Sequence, residues 1–100
     1  MPSPWELEDA EERNQEYPDS FQIPSLEERS SLNSMDFAKL LFHERESGIT
    51  ERMWVLVHDN DDGSYKGELN NNPLFMTAIQ CGDSVKFLPK HIIDTIRVGD

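Results

Sequence analysis

The chain has few of the residues that stabilise or anchor exported proteins. Its 100 residues include one cysteine, Cys81, which excludes an internal disulfide and favours a reducing compartment. No apolar run approaches the roughly 18 residues that a membrane-spanning helix needs. No basic segment followed by an apolar one marks the chain for secretion. We therefore expect a cytoplasmic protein that does not enter a membrane.

Basic residues are scarce as well. Nine Lys and Arg stand against twenty Asp and Glu, which gives a net charge of −11. Nucleic-acid binding depends on neutralising phosphates with Lys and Arg, so we expect no direct nucleic-acid partner. The acid is concentrated in residues 1–19, which hold seven Asp and Glu and one Arg. Such a surface favours a basic protein as the partner, because complementary charge speeds association.

The chain also lacks the residue patterns typical of catalysis and of cofactor binding. Its five scattered glycines form no phosphate-binding loop. Cys81 has no base near it in the sequence, and a lone cysteine usually behaves as a small apolar residue. His43, His58 and His91 are far apart and lack the short spacing of a zinc ligand pair. The sequence therefore predicts a protein that is not an enzyme and has no cofactor and no metal site.

Acidic and amide residues are abundant in the stretch HDNDDGSYKGELNNNP, residues 58–73. A calcium-binding EF-hand loop needs acidic ligands at its first and twelfth positions, with glycine at the sixth. Placing Gly63 at the sixth position puts His58 first and Leu69 twelfth, so the register excludes this site. The stretch instead predicts a hairpin connection of four or five residues, with Gly63 in the left-handed conformation.

Helix signals occur twice near the start of the chain. Ser3 with Glu6 three residues later is a capping pattern, and it predicts a helix that ends before Pro18. Ser25 with Glu28 repeats the pattern and predicts a second helix of one or two turns. We accordingly treat residues 1–19 as an acidic N-terminal helix or arm and residues 20–100 as a single domain.

The rest of the chain has the shorter period of β-strands. Strands are predicted at 37–43, 52–59 and 64–69, after the turn at residues 82–83, and at the C-terminus, with Val55 and Phe87 in the core. The segment LFMTAIQ is compatible with a strand or a short helix. This pattern favours an α+β fold, in which one or two short helices precede a small, strongly bent antiparallel sheet or open barrel. A sheet with a helix packed across one face is the alternative.

Several motifs resemble one known family. In order, the chain contains ERMWV, a match to Y-x-G-x-L-[DN]-N-x-P and a match to G-D-x-V-x-F-x-P-x-H-I. Residues 21–93 thereby resemble the bacterial domain of unknown function family 2314, which is uncharacterised. The chain departs from that family pattern at Met35, where the family usually has Gly, and at Asn70, where it usually has Asp.

The resemblance draws attention to five residues as binding candidates. Asn71, Asp83 and His91 are polar and lie at or near predicted turns, so they either line a common pocket or cap the turns. Arg52 and Trp54 lie two apart on one strand face, where they could present a cation beside an indole. Families related to this one include bacterial immunity proteins, which neutralise toxins by binding them.

Two functions follow from these observations, and they belong to different classes. The first is a non-catalytic protein-binding module, an immunity- or antitoxin-like partner of a basic protein, which the −11 charge favours. The alternative is a small-ligand-binding or enzyme-like domain with a polar pocket formed by Asn71, Asp83 and His91 at the turn-rich end of the sheet. A scaffold domain with no ligand of its own is the third reading, because a fold does not determine a function.

Overall fold

The computed structural model describes residues 3–98. Within them, the chain forms strands β1 Trp5–Leu7, β2 Phe37–Glu44, β3 Thr50–Asp61, β4 Ser64–Leu69, β5 Ser84–Phe87 and β6 Ile92–Ile96, and helices α1 Ala10–Glu16 and α2 Leu26–Ser30. A 3-10 turn, Pro89–His91, precedes β6. Strands dominate, in agreement with the predicted α+β class.

All six strands belong to one antiparallel sheet. Strands β2 to β5 pair in chain order, and β1 and β6 share the free edge of β2. Strand β1 pairs along Phe42–Glu44 and β6 along Phe37–Leu40. Irregularities between Val57 and Asp59 and between Lys39 and Leu40 add twist to this sheet. The result is the strongly bent sheet that the sequence predicts, curled into a half-barrel.

The core lies on one face of the curled sheet. Alternate residues of each strand point into it, including Leu40, Val55, Tyr65 and Phe87, and Val55 and Phe87 are buried as predicted. We call the opposite face the outer face; it carries Phe37, Lys39, Leu41, Arg52, Trp54, Leu56, Lys66 and Lys86. A smaller apolar cluster covers the outer face at Leu41, with contributions from α1 and from segment 21–23.

Gly67 lies on β4 at a close approach to the backbone of β3. A Cβ atom there would clash with the carbonyl oxygen of Leu56 and would crowd the side chain of Val55. Glycine in a strand interior often marks such a close approach of two backbones. The close approach of the two strands at this point therefore requires a residue without a side chain.

The predicted helix start at Ser3 is wrong. Residues Trp5–Leu7 form a strand, and α1 begins at Ala10, where the Asp9 side chain accepts a hydrogen bond from the Glu12 N–H at 3.0 Å. An unpaired strand edge favours pairing with any extended segment nearby, and Trp5 packs against Phe42 with ring centroids 5.4 Å apart. One strand thus precedes the helices, and the division of the chain at residue 19 stays a prediction.

The second helix signal is confirmed. The Ser25 hydroxyl accepts a hydrogen bond from the Glu28 N–H at 3.2 Å at the start of α2. Arg29 in this helix is buried and bonds to the carbonyl of Pro89 at 2.9 Å and to Glu11 at 2.8 Å. One guanidinium group therefore ties α2 to α1 and to the 3-10 turn.

The acid-rich stretch at the end of β3 is a turn, as predicted, but a shorter one. Asp62 and Gly63 form a two-residue connection between β3 and β4, with φ angles of 53° and 89°. Both values lie in the left-handed region, as a type I′ hairpin turn requires. Asn60 supports the turn by accepting a hydrogen bond from the Gly63 N–H at 3.0 Å.

Candidate functional site

Three of the five candidate residues, Asn71, Asp83 and His91, each accept a hydrogen bond from a backbone N–H. Asn71 accepts one from Trp54, extending the β3–β4 ladder beyond its last strand pair. Asp83 accepts one from Gln80 at 2.9 Å. Asp83 and His91 flank opposite ends of β5, so the structure does not bring the three side chains into a common pocket.

His91 is partly enclosed, and its surroundings disfavour protonation. Its Nδ1 accepts a hydrogen bond from the Leu88 N–H at 3.0 Å, which requires that nitrogen to be unprotonated. Burial and then the neighbouring Lys90 charge lower the pKa of His91, while Asp9 and Glu11 oppose the shift. The neutral ring therefore serves as a cap of the 3-10 turn.

Arg52 and Trp54 lie on the outer face of β3, as predicted, but each has a different partner. The Arg52 guanidinium lies 5.7 Å from the centroid of the Phe21 ring. The cation over the Trp54 ring is Lys39, whose Nζ is 5.4 Å from the ring centroid. The outer face thus carries two cation–π pairs side by side, where one pair was predicted.

The most highly organised polar arrangement lies elsewhere, in the segment that joins β4 to β5. The Glu51 carboxylate accepts hydrogen bonds from the backbone N–H groups of Leu74, Phe75 and Met76 at 2.8, 2.9 and 2.7 Å. Glu51 lies on β3, so these bonds hold the segment against the sheet. Such bonds to an ionised acceptor are about twice as strong as neutral ones.

Glu44 of β2 continues the same arrangement. Its carboxylate accepts hydrogen bonds from the N–H groups of Thr77 and Ala78 at 2.9 and 2.8 Å, and from the Ser47 hydroxyl. Five consecutive backbone donors, residues 74–78, are therefore held by two carboxylates. We call Glu44 and Glu51 the carboxylate clamp, and residues 74–78 the clamped loop.

Both carboxylates of the clamp favour the ionised state. The Ser47 hydroxyl, then the Ala78 and Thr77 N–H groups, lower the pKa of Glu44 against the opposing effect of burial. Burial raises the pKa of Glu51, but the three N–H donors of the clamped loop outweigh it, so this pKa is also below its usual range. The clamp is accordingly charged, and intact, near neutral pH.

The clamped loop presents two apolar side chains to solvent. Leu74 and Phe75 are 81% and 69% exposed, whereas Met76 is buried and contributes to the core together with Ile79. Phe75 and Met76 are neighbours in sequence, so the backbone geometry that the clamp fixes decides which side chain is buried. The structure thus holds Leu74 and Phe75 outside the core on a backbone fixed by hydrogen bonds.

The clamp was not predicted from the sequence, although two charged residues at core-facing strand positions indicate it. Glu44 follows Ala38, Leu40 and Phe42 in strand alternation, and Glu51 likewise precedes Met53, so each charge occupies a core-facing position. A charge at such a position must find partners, because burying it alone is costly. The partners themselves, 23 to 34 residues away, leave no local trace in the sequence.

A second polar feature lies between β1 and α1. It is a cleft of about 520 Å³ lined by Glu6, Leu7, Glu8, Asp9, Glu12, Arg13, Glu16 and Tyr17, and we call it the acidic cleft. Arg13, the one cation among these residues, pairs with Glu8 at 2.8 Å. Glu12 and Glu16 are exposed and lie one turn apart on α1, so they present two negative charges to solvent.

The two features lie on elements in direct contact. The β2–β3 turn, which supplies Ser47 to the clamp, also carries Arg45, and the Arg45 guanidinium pairs with Glu6 of the acidic cleft at 2.9 Å. Residues 3–98 contain no group of His, Cys, Asp and Glu arranged to hold a metal ion. Over the same residues, no helix has the length and apolar character to cross a membrane.

Comparisons with known proteins agree with the resemblance seen in the motifs. No curated protein and no solved structure matches the chain. The sequence model of one bacterial family matches residues 6–99, which include the motif-bearing segment, the clamp, the clamped loop and the acidic cleft. The chain belongs to this family, described as "Uncharacterized protein conserved in bacteria (DUF2314)".

Proposed function

We propose that the protein is a non-catalytic protein-binding module, with the clamped loop as its main contact and a basic protein as its partner. The observation that carries the proposal is the pairing of a fixed backbone with exposed apolar side chains at Leu74 and Phe75. Binding energy at protein interfaces is concentrated in a few apolar or aromatic side chains that enter a pocket of the partner. A segment already fixed before binding loses little entropy when the complex forms.

Burial of Leu74 and Phe75 against a partner would supply a large share of the binding free energy. Burying a Leu or Phe side chain completely is worth about 1.5–3 kcal/mol, so the two residues together supply about 3–6 kcal/mol. A complex with a dissociation constant of 1 μM needs about 8 kcal/mol. The clamped loop therefore accounts for about half of such an affinity, and surrounding polar contacts supply the rest.

Charge supports a basic partner. The chain carries a net charge of −11, and the acidic cleft holds five carboxylates against one guanidinium that is already paired. A field of one sign attracts a partner of opposite charge and raises the rate of encounter. In the form of this function that the sequence favours, the partner is a toxin-like protein encoded beside this one, and binding neutralises it.

The alternative, a ligand pocket formed by Asn71, Asp83 and His91, receives no support from a specific contact. Each of these side chains accepts a backbone hydrogen bond, and Asp83 and His91 are separated by the length of β5. Groups engaged in this way act as caps of turns. We therefore retain protein binding as the proposal.

Co-expression with the product of the neighbouring gene tests the proposal. We expect the two proteins to co-purify, and the double variant Leu74→Ser with Phe75→Ser to lose its partner while keeping its fold, because both side chains are largely exposed. Leu26→Ser with Val98→Ser is the matched control, since these residues are 58% and 55% exposed on other parts of the surface. Absence of co-purification, or equal losses in both double variants, would contradict the proposal.

A further inference from the structure

Two cations share a cleft on the outer face of the sheet, apart from the clamped loop and the acidic cleft. The cleft has a volume of about 210 Å³, and strands β2, β3 and β6 together with segment 20–22 form its walls. Lys39 and Arg52 line it from adjacent strands, where they are diagonal neighbours two residues apart in register. Phe21 and the buried Ile93 supply its apolar surface.

Among the described residues, neither cation is in direct contact with a carboxylate, although Asp94 also lines the cleft. Within residues 3–98, Lys39 and Arg52 form no ion pair, although four other Lys and Arg side chains do. Asp94 is the cross-strand neighbour of Lys39, but its carboxylate instead accepts a hydrogen bond from the Thr95 N–H at 2.9 Å. In the same part of the chain, Lys66 and Lys86 also form no ion pair, so Lys39 and Arg52 are distinguished by their position in a cleft and beside aromatic rings.

The aromatic rings fix both cations without occupying their donors. The Lys39 ammonium lies 5.4 Å from the Trp54 ring centroid, and the Arg52 guanidinium lies 5.7 Å from that of Phe21. A cation–π contact uses the face of the ring, so the N–H groups of each cation stay available for another acceptor. Neither Lys39 nor Arg52 donates a side-chain hydrogen bond to another residue of the described part of the chain.

We propose that this cleft is a binding site for a small oxyanion, a carboxylate or a phosphate group. The planar guanidinium of Arg52 can donate two parallel hydrogen bonds to such a group, and the Lys39 ammonium adds a point charge from the adjoining strand. Phe21 and Ile93 would contact the apolar part of a carboxylic acid or of a phosphate ester. This site is separate from the proposed contact at Leu74 and Phe75, and either proposal can fail without the other.

Size and charge restrict the class of ligand. The volume of about 210 Å³ is smaller than the roughly 300–1,000 Å³ of sites that hold drug-sized molecules, so the cleft takes a compact group rather than a whole nucleotide. Asp94, which also lines the cleft, and the net charge of −11 disfavour polyanions such as nucleic acid. A compact anion with one or two charges fits both restrictions.

Titration of the full chain by ¹H–¹⁵N NMR tests the site, with inorganic phosphate and acetate as separate probes at constant ionic strength. We expect saturable shifts at the amides of residues 20–22, Lys39 and Arg52 with at least one probe. Tighter binding of phosphate would identify a phosphoryl ligand, and tighter binding of acetate a carboxylate. Shifts that do not saturate with either probe, or that are no larger than with chloride, would overturn the proposal.

Variants distinguish anion binding in this cleft from general attraction by surface cations. Lys39→Gln with Arg52→Gln should weaken binding at least tenfold, and Arg52→Lys should weaken it less because the charge is kept while the planar fork is lost. Lys66→Gln with Lys86→Gln is the matched control, since this exposed pair lies on the same outer face and is adjacent across β4 and β5. Equal weakening in the control would show general charge attraction and overturn the site.

Discussion

Glu51 shows how one side chain can decide the conformation of a distant segment. It occupies a core-facing position of β3, and its two oxygens accept three backbone hydrogen bonds from a segment that begins 23 residues later. Without these bonds, the N–H groups of residues 74–76 would have to be satisfied by water, and Met76 would lose its anchor to the core. The clamp therefore links folding to the display of Leu74 and Phe75.

Replacing Glu51 with Gln tests this link. The amide keeps one carbonyl oxygen but loses the charge and the second acceptor, so we expect a loss of about 2 kcal/mol in the free energy of unfolding. Urea unfolding followed by tryptophan fluorescence measures it. Glu46→Gln removes the same charge from an exposed position in the β2–β3 turn and should change stability by less than about 0.5 kcal/mol. Equal stability of the two variants would contradict the role of the clamp.

Acid should release the clamp. The pKa values of Glu44 and Glu51 are lower in the folded chain than their usual value of 4.5. The stabilisation they provide is therefore fully present above about pH 4.5 and is lost as the pH falls through the lowered folded-state values. We expect the stability difference between the natural chain and Glu51→Gln to be constant from pH 6 to 8 and to shrink below pH 4.5. A difference that stays constant down to pH 3 would contradict this account.

Individual residues were predictable where period or turn chemistry decides their place. Alternation in the strands placed Val55 and Phe87 in the core, and turn chemistry placed Gly63 in the hairpin turn. Alternation also placed Arg52 and Trp54 on one face, but their partners Phe21 and Lys39 come from other elements. Those pairings depend on the order of strands and loops in space, which sequence period alone does not supply.

Among the elements, local signals succeeded where no sheet edge competed with them. The Ser25 cap started α2, whereas the equally good pattern at Ser3 was overridden because residues 5–7 pair with the free edge of β2. The segment after β4 could not be assigned from its period, since its conformation depends on the carboxylate clamp. Elements fixed by distant partners are therefore the ones that the sequence failed to predict.

The turn before β2 offers a test at this scale. Met35 occupies the left-handed region with φ of 79° and is 58% exposed. The left-handed conformation costs a residue other than glycine about 1–2 kcal/mol, and glycine avoids this cost. About half of the gain is lost again, because glycine has more conformational freedom in the unfolded chain. We expect Met35→Gly to raise the free energy of unfolding by about 0.5–1 kcal/mol in urea, and Met35→Ala to leave it nearly unchanged. Destabilisation by glycine would contradict this reading of the turn.

Across the whole molecule, the acidic cleft and four cations lie on different parts of the surface, although Glu68 and Asp94 share the outer face with those cations. The acidic cleft lies between β1 and α1, whereas Lys39, Arg52, Lys66 and Lys86 project from the outer face of the sheet. The excess of acid and its concentration near the N-terminus could be read from the sequence. That these four cations share one face could not be predicted without the strand register, because the residues are scattered over 48 positions of the chain.

The acidic cleft should act on the rate of encounter with the partner. We expect Glu12→Gln with Glu16→Gln to lower the association rate constant several-fold at low salt and to flatten its dependence on ionic strength. Stopped-flow mixing with the purified product of the neighbouring gene measures this rate. Asp59→Asn with Asp61→Asn removes two exposed charges at the far end of β3 and is the matched control. An equal effect in this control would assign the steering to net charge rather than to the cleft.

The dissociation rate of the same complex tests the central claim most directly. If the clamped loop supplies the main contact, Leu74→Ser with Phe75→Ser should raise the dissociation rate constant at least tenfold and change the association rate by less than about twofold, because short-range apolar contacts act after encounter. Leu26→Ser with Val98→Ser should leave both rates unchanged. A dissociation rate that the loop variant does not alter, or a partner that does not bind at all, would contradict the account.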